Sequence, residues 1–368
     1  MRILSGFAGG RGHFDPMAPI ARASVDAGHT IAFTCQQSMI QTVRDAGFEA
    51  WQSGPDFDGG GTRHPLLEPD AQREDNDLRE GFVRNAARLR ATGVLSHAKS
   101  WRPDVIMCDE VDFGAMIAAE VLGIPHVTVL SNAAGSFVRY PVIGEALNEL
   151  RVSHGLAPEP DLRMMSRHLV LSPFPPGFRD PGYPLPANGY TIRTQDVAEA
   201  DGETIYFTLG TIFNTESGDL LGRVLSGLSS LNVPLVMTVG AHIDPAEFGP
   251  QPSHVTIERF IPQATVLPQC RLVVSHGGSG SLTGTIRHGL PTVLIPLGAD
   301  QLVNAERCVD LGLGKVLNAV TVTPDEVAEA ASAVLGDPSY RAVSRGLRDE
   351  LAAQPDSPYA VKLIEGLG

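Results

Sequence analysis

Short apolar runs alternate with helical patterns along the first half of the chain. Residues 2–6 form the first run, a glycine-rich loop follows, and residues 16–27 carry apolar side chains at helical spacing until Gly28. Four more apolar runs of strand length follow, at residues 31–34, 48–52, 104–108 and 126–130. Strands that alternate with helices are typical of a parallel sheet, so this half is predicted to form a doubly wound α/β domain.

The same alternation begins again after residue 202. Five apolar runs are separated by helical segments, at residues 204–209, 234–239, 254–257, 271–275 and 292–295. Residues 172–202 contain many prolines and few periodic positions, which is typical of a domain connection. We therefore predict an α/β fold of two Rossmann-like doubly wound parallel-sheet domains that face a cleft. The predicted bounds are 1–185 for the first domain, 186–202 for the linker, 203–354 for the second domain, and 355–368 for a C-terminal segment that is free to pack back on the first domain.

A polar stretch at residues 54–77 interrupts the first domain. Three consecutive glycines at 59–61, three prolines and many charges predict an exposed, mobile loop, followed by a long amphipathic helix at about 78–99. Two Asp-x-Asp triplets in the loop, 56–58 and 75–77, resemble a magnesium motif. They lie far in sequence from the second domain, so we interpret them as solvated acids and predict no metal site.

Composition excludes several partner classes. The 368 residues carry a formal net charge of −14, which repels nucleic acid and anionic membrane surfaces. The four cysteines form no CxxC pair, which favours neither a zinc ribbon nor a disulfide framework and suits a reducing cytoplasm. No apolar stretch approaches the roughly 18 residues of a membrane span, so we expect a soluble cytoplasmic protein without integral membrane association. A homodimer is compatible with this composition.

The strand order of a doubly wound sheet predicts where chemistry occurs in the first domain. Ligands bind beyond the carboxyl ends of the strands, between the first and fourth strands. The loop after strand one contains His13, and strand four is followed by Asp109, so the two side chains should face each other. A histidine held by a carboxylate is typical of a general base. A histidine that only stabilises a glycine-rich turn is the alternative, and the sequence geometry leaves both open.

The glycine-rich loop does not favour a dinucleotide cofactor. Gly10 and Gly12 begin a GxGxxG pattern, but Asp15 stands at the third glycine position. The second strand ends without an acidic residue that could bind a ribose diol. We therefore expect no nicotinamide cofactor.

Polar loops of the second domain point to a phosphorylated ligand. The glycine-rich stretch 276–281 leads into a helix at 282–288, whose amides and dipole favour an anion. It contains no Walker lysine. Asp300 follows the fifth strand of this domain and Thr211 follows the first, at the same sheet edge, and such polar groups beside an anion site suit a sugar attached to a diphosphate. The alternatives are a plain βα turn and, for Asp300, an ordinary acid at a helix N-terminus.

Two motifs resemble those of glycosyltransferase family one, whose members adopt the GT-B fold. The first is the stretch 12–16, Gly-His-x-x-Pro, and the second runs from Phe-Ile-Pro-Gln at 260–263 through His-Gly-Gly at 276–278 to Asp-Gln at 300–301. The resemblance implies an inverting, metal-independent transfer of a sugar from a nucleoside diphosphate, as co-substrate without a further cofactor, to a small-molecule hydroxyl. Ser279-Gly280 replaces the Trp-Asn of plant members and is similar to bacterial antibiotic glycosyltransferases, which favours dTDP- or UDP-sugars and polyketide or peptide acceptors.

The resemblance also implies roles for individual residues. His13 is expected to be the catalytic base and Asp109 its partner, and Phe260 is expected to stack on the nucleotide base. The expected donor-binding residues are Thr211, Phe260, Gln263, His276, Gly277, Gly278, Ser279, Gly280, Ser281, Asp300 and Gln301, of which the last two would bind sugar hydroxyls. Phe14, Phe137, Tyr140 and Ile143 are candidates for an apolar acceptor pocket, although core packing explains them equally well.

Three other functions remain open from the sequence. A nucleotide-sugar epimerase also uses two such domains, but it would leave the Gly-His-x-x-Pro motif unexplained. A non-catalytic nucleotide-sugar-binding relative would not need His13 and Asp109. A glycosyltransferase acting at a membrane surface would need a basic patch, which Arg84, Arg88 and Arg90 on one helix partly supply, although we favour a solvated charged face.

Overall fold

The computed structural model describes residues 1–56 and 62–368 and contains two parallel sheets. The strands of the first sheet are β1 (Arg2–Gly6), β2 (Thr30–Cys35), β3 (Glu49–Gln52), β4 (Val105–Asp109), β5 (His126–Val129), β6 (Leu169–Ser172) and β7 (Gly189–Thr191). The strands of the second sheet are β8 (Thr204–Thr208), β9 (Leu235–Thr238), β10 (Val255–Glu258), β11 (Cys270–Ser275), β12 (Thr292–Leu294) and β13 (Gly314–Val316). The spatial orders are β3-β2-β1-β4-β5-β6-β7 and β10-β9-β8-β11-β12-β13. The predicted pair of doubly wound domains is confirmed.

Helices cover both sheets. Those of the first domain are α1 (Arg11–Phe14), α2 (Ala18–Asp26), α3 (Ile40–Asp45), α4 (Ala71–Asn76), α5 (Arg88–Trp101), α6 (Phe113–Leu122) and α7 (Tyr140–Ser153). Those that follow β8 are α8 (Leu220–Ser229), α9 (Gln263–Val266), α10 (Ser279–Arg287), α11 (Gln301–Leu311), α12 (Pro324–Gly336), α13 (Pro338–Ala352) and α14 (Ser357–Glu365). A π-helical stretch, Asp77–Ala87, joins α4 to α5. The helix predicted at 78–99 therefore begins earlier, inside the stretch that the sequence predicts as a loop.

Strand pairing brings the chemistry-bearing loops together. β1 lies between β2 and β4, and β8 lies between β9 and β11. The loops after β1 and β4 therefore share one position at the edge of the first sheet, and the loops after β8 and β11 share the equivalent position in the second.

The predicted linker is partly wrong, because β7 lies within 186–202 and pairs with β6. The first domain thus extends past residue 185. The strands β6, β7 and β13 were not predicted. β7 and β13 have three residues each at a sheet edge, and β6 has four, so none is long enough to show a clear hydrophobic period. The chain passes to the second sheet between residues 192 and 203.

Apolar contacts hold the two domains and the C-terminus in place. Leu130 and Phe178 of the first domain share one buried cluster with Leu282 and Ile286 of the second. Helix α14 returns to the first domain, where its buried face packs against α2. Among the described residues, no helix is long and apolar enough to span a membrane.

Within the polar stretch, residues 63–68 and Glu74 contact the second domain, so this part of the chain is not a free loop. Leu66 packs on the core of the second domain, and the His64 amide donates to the Thr215 carbonyl over 2.8 Å. Arg63 pairs with Glu247 at 2.6 Å. The three glycines at 59–61, with Phe57 and Asp58 of the first Asp-x-Asp triplet, lie outside the described residues.

The interpretation of the second triplet as solvated acids is wrong for Asp75, which pairs with Arg139 at 2.6 Å. The basic patch considered for a membrane surface is also not formed. Arg84 pairs with Glu80 and Glu149, and Arg90 is buried, so the helix presents no continuous row of free cations.

Candidate functional site

His13 and Asp109 meet at the switch point of the first sheet. His13 lies on α1 directly after the glycine-rich loop, and Asp109 is the last residue of β4. The Nδ1–H of His13 donates to Oδ2 of Asp109 over 2.7 Å. Gly9 adopts φ +134°, and a Cβ there would stand 2.4 Å from the imidazole, so a glycine is needed beneath the ring.

The surroundings of this pair prepare the imidazole to accept a proton. Asp109 is buried and its Oδ1 accepts the Ala8 amide over 3.0 Å. Burial lowers the pKa of His13, but the charge and hydrogen bond of Asp109 outweigh it and leave this pKa above the usual 6.5. Because Nδ1 carries the proton toward Asp109, the lone pair of Nε2 is available on the partly exposed side of the ring.

Helix α10 offers an anion site in the second domain. It begins at Ser279 after Gly278, and Gly277 adopts φ +86°, a conformation that favours glycine. The amides of Gly280 and Ser281 lie in the first turn, where no helical carbonyl is available to them. Together with the helix dipole they favour a bound phosphate.

His276 stands beside this helix in the neutral form. Burial lowers its pKa to about 4, and its Nδ1 has no hydrogen-bond partner among the described residues. A Cβ at Gly210 or at Gly278 would lie 2.7 or 2.5 Å from its Nε2, so the imidazole fits only between two glycines. A buried nitrogen without a partner is costly, and an oxygen of a ligand would satisfy it.

Asp300 is fixed by hydrogen bonds to one of its two oxygens. Its Oδ2 accepts from the Ser279 amide at 3.2 Å, from the Ser279 hydroxyl, and from Asn304 at 2.9 Å. Asp300 is the N-cap residue of α11, but its side chain makes no capping hydrogen bond to the backbone of that helix. Oδ1 accepts no hydrogen bond from the residues described and remains available to a hydroxyl.

Gln301 is buried directly after Asp300, at the start of α11. The residue is 1% exposed, and its Oε1 accepts the amides of Leu297 and Gly298 at 2.7 and 3.3 Å. The Oε1 atom of Gln301 therefore stabilises its own loop, and the expected contact of this residue with a sugar hydroxyl stays a prediction.

The remaining donor candidates lie on loops and a short helix of the second domain. The Phe260 ring is 57% exposed, and the Arg11 guanidinium of the first domain lies 5.8 Å from its centre. Gln263 donates to the Ser281 hydroxyl over 3.2 Å. Thr211 is exposed in the loop after β8.

Hydrogen bonds across the cleft bring both halves of the site together. The Ala133 amide donates to the Ser279 hydroxyl over 2.8 Å, and the Ala134 amide donates to Asn304 over 3.2 Å. The charge of Asp300 raises the pKa of His13 across the same gap. The His13–Asp109 pair and the loops that precede α10 and α11 therefore line one cleft.

Two of the four predicted acceptor residues do not reach a surface. Phe14 packs in an aromatic cluster with Phe7 and Phe33, and Ile143 is fully buried in the other core of the first domain. Core packing therefore explains both, and we correct that assignment. Phe137 is half-buried and Tyr140 is exposed, so these two remain candidates.

Two residues that support the site were not predicted. Asn304 donates hydrogen bonds to both Ser279 and Asp300. Its position one helical turn after Asp300 is the sequence feature that could have identified it. Glu110 accepts the amides of Ser131 and Asn132 at 3.2 and 3.1 Å and so orients the loop that crosses to Ser279. In the described part of the chain, no group of three or more His, Cys, Asp or Glu side chains is placed to hold a metal ion.

Comparison with known proteins relates this chain to enzymes that transfer sugars. Residues 222–367 match the family model described as "Erythromycin biosynthesis protein CIII-like, C-terminal domain". The 10-deoxymethynolide desosaminyltransferase of Streptomyces venezuelae is 26% identical over 416 residues, covering 100% of this chain and 97% of the relative. The 4'-demethylrebeccamycin synthase of Lentzea aerocolonigenes is 27% identical over 423 residues, covering 100% and 99%.

A solved structure has the same fold over its whole length. The spinosyn rhamnosyltransferase SpnG complexed with thymidine diphosphate superposes with a TM-score of 0.82 at 20% identity, covering 99% of this chain and 100% of that one. The likeness establishes the arrangement of the two domains.

Proposed function

Because the chain is a glycosyltransferase with the GT-B fold and is related to enzymes of bacterial antibiotic pathways, we propose that it transfers a deoxysugar from a nucleoside diphosphate to a hydroxyl of a small natural product, with inversion. The observation that carries the proposal is the His13–Asp109 hydrogen bond of 2.7 Å, which faces the loops of α10 and Asp300 across one cleft. The bound thymidine diphosphate of the spinosyn relative favours a dTDP-sugar, with a UDP-sugar as the alternative.

The proposed reaction is a single displacement at the anomeric carbon. The acceptor hydroxyl gives its proton to Nε2 of His13 while its oxygen bonds to that carbon. The bond from the carbon to the diphosphate oxygen breaks, and the diphosphate keeps the electron pair. Asp109 stabilises the imidazolium, and the amides at the start of α10 stabilise the departing anion.

The configuration of the product tests this proposal. A base on one domain and a leaving group held by the other place attack and departure on opposite faces of the sugar, so the product of an α-linked donor should be β-linked. The one-bond coupling constant at the anomeric position distinguishes the two. A product that retains the configuration, or a sugar nucleotide that is only epimerised, would contradict the proposal.

We expect turnover to be independent of a divalent metal. The amides at the start of α10, with the helix dipole, supply the positive potential that a metal would otherwise provide. Initial rates in buffer with EDTA should equal those in buffer with magnesium, after the same dialysis. Activity that disappears in EDTA and returns with magnesium would show that the diphosphate is held differently.

The pH dependence should report the effect of Asp109 on His13. A base must be neutral, and the pKa of His13 lies above 6.5, so kcat/KM should fall as the pH decreases through that pKa. Asp109→Asn removes the charge and hydrogen bond that raise the pKa, so the midpoint should move to lower pH, and the plateau should fall because the imidazolium is less stabilised.

Ser131→Ala is the control for this pH prediction. Its hydroxyl touches the same Asp109 oxygen at 3.4 Å but carries no charge, so its midpoint should stay near that of the wild type. If the pH midpoint of kcat/KM for Asp109→Asn equals that of the wild type, the group that titrates is not His13.

A further inference from the structure

Glu74 of the first domain reaches across the cleft to the loop that carries Asp300. We propose that Glu74 is a positioning residue for the donor sugar, which holds residues 297–301 in the conformation that presents Asp300. The inference rests on the proposed role of Asp300 as a contact for sugar hydroxyls. Glu74 belongs to neither of the two motifs that resemble glycosyltransferase family one.

The contact itself is short and largely shielded from water. The Ala299 amide donates to Oε2 of Glu74 over 2.8 Å, and the side chain of Glu74 is 13% exposed. A Cβ at Gly298 would lie 2.9 Å from Oε1 of the same carboxylate, so the loop backbone approaches Glu74 closely at two consecutive residues. A hydrogen bond to a charged, shielded acceptor is among the stronger kinds in proteins.

The conformation of the loop explains why it needs this support. Ala299 adopts φ +52°, a left-handed conformation that is unfavourable for a residue with a Cβ and persists only when its surroundings hold it. Gln301 holds the loop from within the second domain through Leu297. Glu74 contacts the loop from the first domain, so this hydrogen bond depends on how the two domains are placed.

Neighbouring contacts fix Glu74 in place. Asp70 caps α4 by accepting the Gln72 amide over 2.9 Å, and Asp75 pairs with Arg139 on the same domain. The carboxylate therefore projects from a helix that is anchored at its start and at its end. A movement that separated the two domains would break the contact with Ala299 and release the loop next to Asp300.

This arrangement predicts an effect on the sugar and not on the nucleotide. Asp300 follows Ala299 directly, whereas Phe260 and the first turn of α10 are not bonded to Glu74. Removing the carboxylate should loosen the loop that meets the sugar, whereas Ser279 at the start of α10 keeps its hydrogen bonds to the Ala133 amide and to Asn304. A residue with a merely structural role would instead lower thermal stability and weaken both ligands together.

Calorimetric titration of the full chain with two ligands tests the inference. The probes are thymidine diphosphate and thymidine diphosphate rhamnose. Glu74→Ala should bind thymidine diphosphate as the wild type does and bind the sugar nucleotide about tenfold more weakly, the scale of one charge-assisted hydrogen bond. Glu74→Gln keeps an oxygen at the same reach and should recover most of that loss.

A second glutamate on the same segment is the matched control. Glu68 also crosses to the second domain, where it accepts from Asn318 at 2.5 Å, but it does not contact Ala299. Glu68→Ala should bind both ligands as the wild type does. Glu74→Asp, whose carboxylate is withdrawn by about 1.5 Å, keeps the charge and replaces Glu74→Ala if that variant does not fold.

The outcomes separate this inference from the proposed function. If Asp300→Ala binds both probes as the wild type does, the proposed role of Asp300 fails before Glu74 is considered. If Asp300→Ala loses affinity for the sugar nucleotide alone but Glu74→Ala and Glu74→Asp do not, the positioning role is overturned. Equal weakening of both probes by the Glu74 variants would also overturn it, because the nucleotide site would then depend on Glu74.

Discussion

His13→Ala should lower kcat by about 10²–10⁴-fold with an aliphatic alcohol acceptor, the usual range for the loss of a general base. Affinity for the nucleoside diphosphate should stay nearly constant, because the proposed donor contacts lie on the second domain. Steady-state rates with saturating donor, together with calorimetric titration of thymidine diphosphate, measure both effects.

His29→Ala is the control for this prediction. This histidine also belongs to the first domain, but it contacts Met1 and Glu365 near the amino end of β2, away from the cleft. Its kcat should match that of the wild type. Full activity of His13→Ala with an aliphatic alcohol would contradict the proposed base and return His13 to the role of a turn residue.

The size of the His13 effect should depend on the acceptor. A phenolic hydroxyl is more acidic and needs less proton transfer in the transition state, so His13→Ala should lose less activity with a phenol than with an aliphatic alcohol. Comparing the two acceptors in the same variant separates loss of the base from a general disturbance of the cleft, which would affect both equally.

The parts of the site that the sequence predicted are those fixed by strand order. Strands one and four of a doubly wound sheet are neighbours, so the meeting of His13 with Asp109 follows from topology alone. A helix that begins directly after a glycine-rich loop follows in the same way from the strand–loop–helix pattern, and anion binding at Ser279 stays a prediction.

Contacts between distant segments were not predictable, because a local pattern shows that a residue is buried or polar but not what it touches. The polar stretch around Glu74 has the composition of a loop, yet residues 63–68 and Glu74 contact the other domain. Similarly, Phe14 and Ile143 are apolar whether they line a pocket or a core, and only the packing shows the core. Gln301 belongs to the second motif by sequence, and its side-chain oxygen accepts the amides of its own loop.

Arg90 gives the clearest case of a charged residue whose environment the sequence hides. Its position on an amphipathic helix among other arginines indicates a solvated face, but the side chain is 1% exposed. The guanidinium donates through Nε to Asp112 over 2.7 Å and through Nη1 to the Ser53 carbonyl over 2.9 Å. Each charge in this pair is buried and depends on the other.

Arg90→Met should destabilise the protein by about 3–5 kcal/mol, because it leaves the Asp112 carboxylate buried without its partner. Urea denaturation, followed by circular dichroism, measures the free energy of unfolding. The double variant Arg90→Met with Asp112→Leu should recover most of the loss, since two apolar side chains then replace two charges. Arg88→Met, on the exposed side of the same helix, should change the unfolding free energy by no more than about 0.5 kcal/mol.

Arg90→Met should also reduce catalysis, because the Arg90–Asp112 ion pair lies directly behind the His13–Asp109 pair. The Asp112 amide donates to the Asp109 carbonyl over 3.1 Å, and the Asp112 carboxylate accepts the Ala115 amide at the start of α6. Loss of Arg90 would therefore disturb the turn that aims Asp109 at His13. We expect kcat of Arg90→Met to fall at temperatures where the variant remains folded, with the pH midpoint of kcat/KM displaced toward that of Asp109→Asn.

The double variant Arg90→Met with Asp112→Leu decides why stability is lost. If it is no more stable than Arg90→Met alone, packing of the arginine stem, and not an unpaired buried charge, accounts for the lost free energy of unfolding.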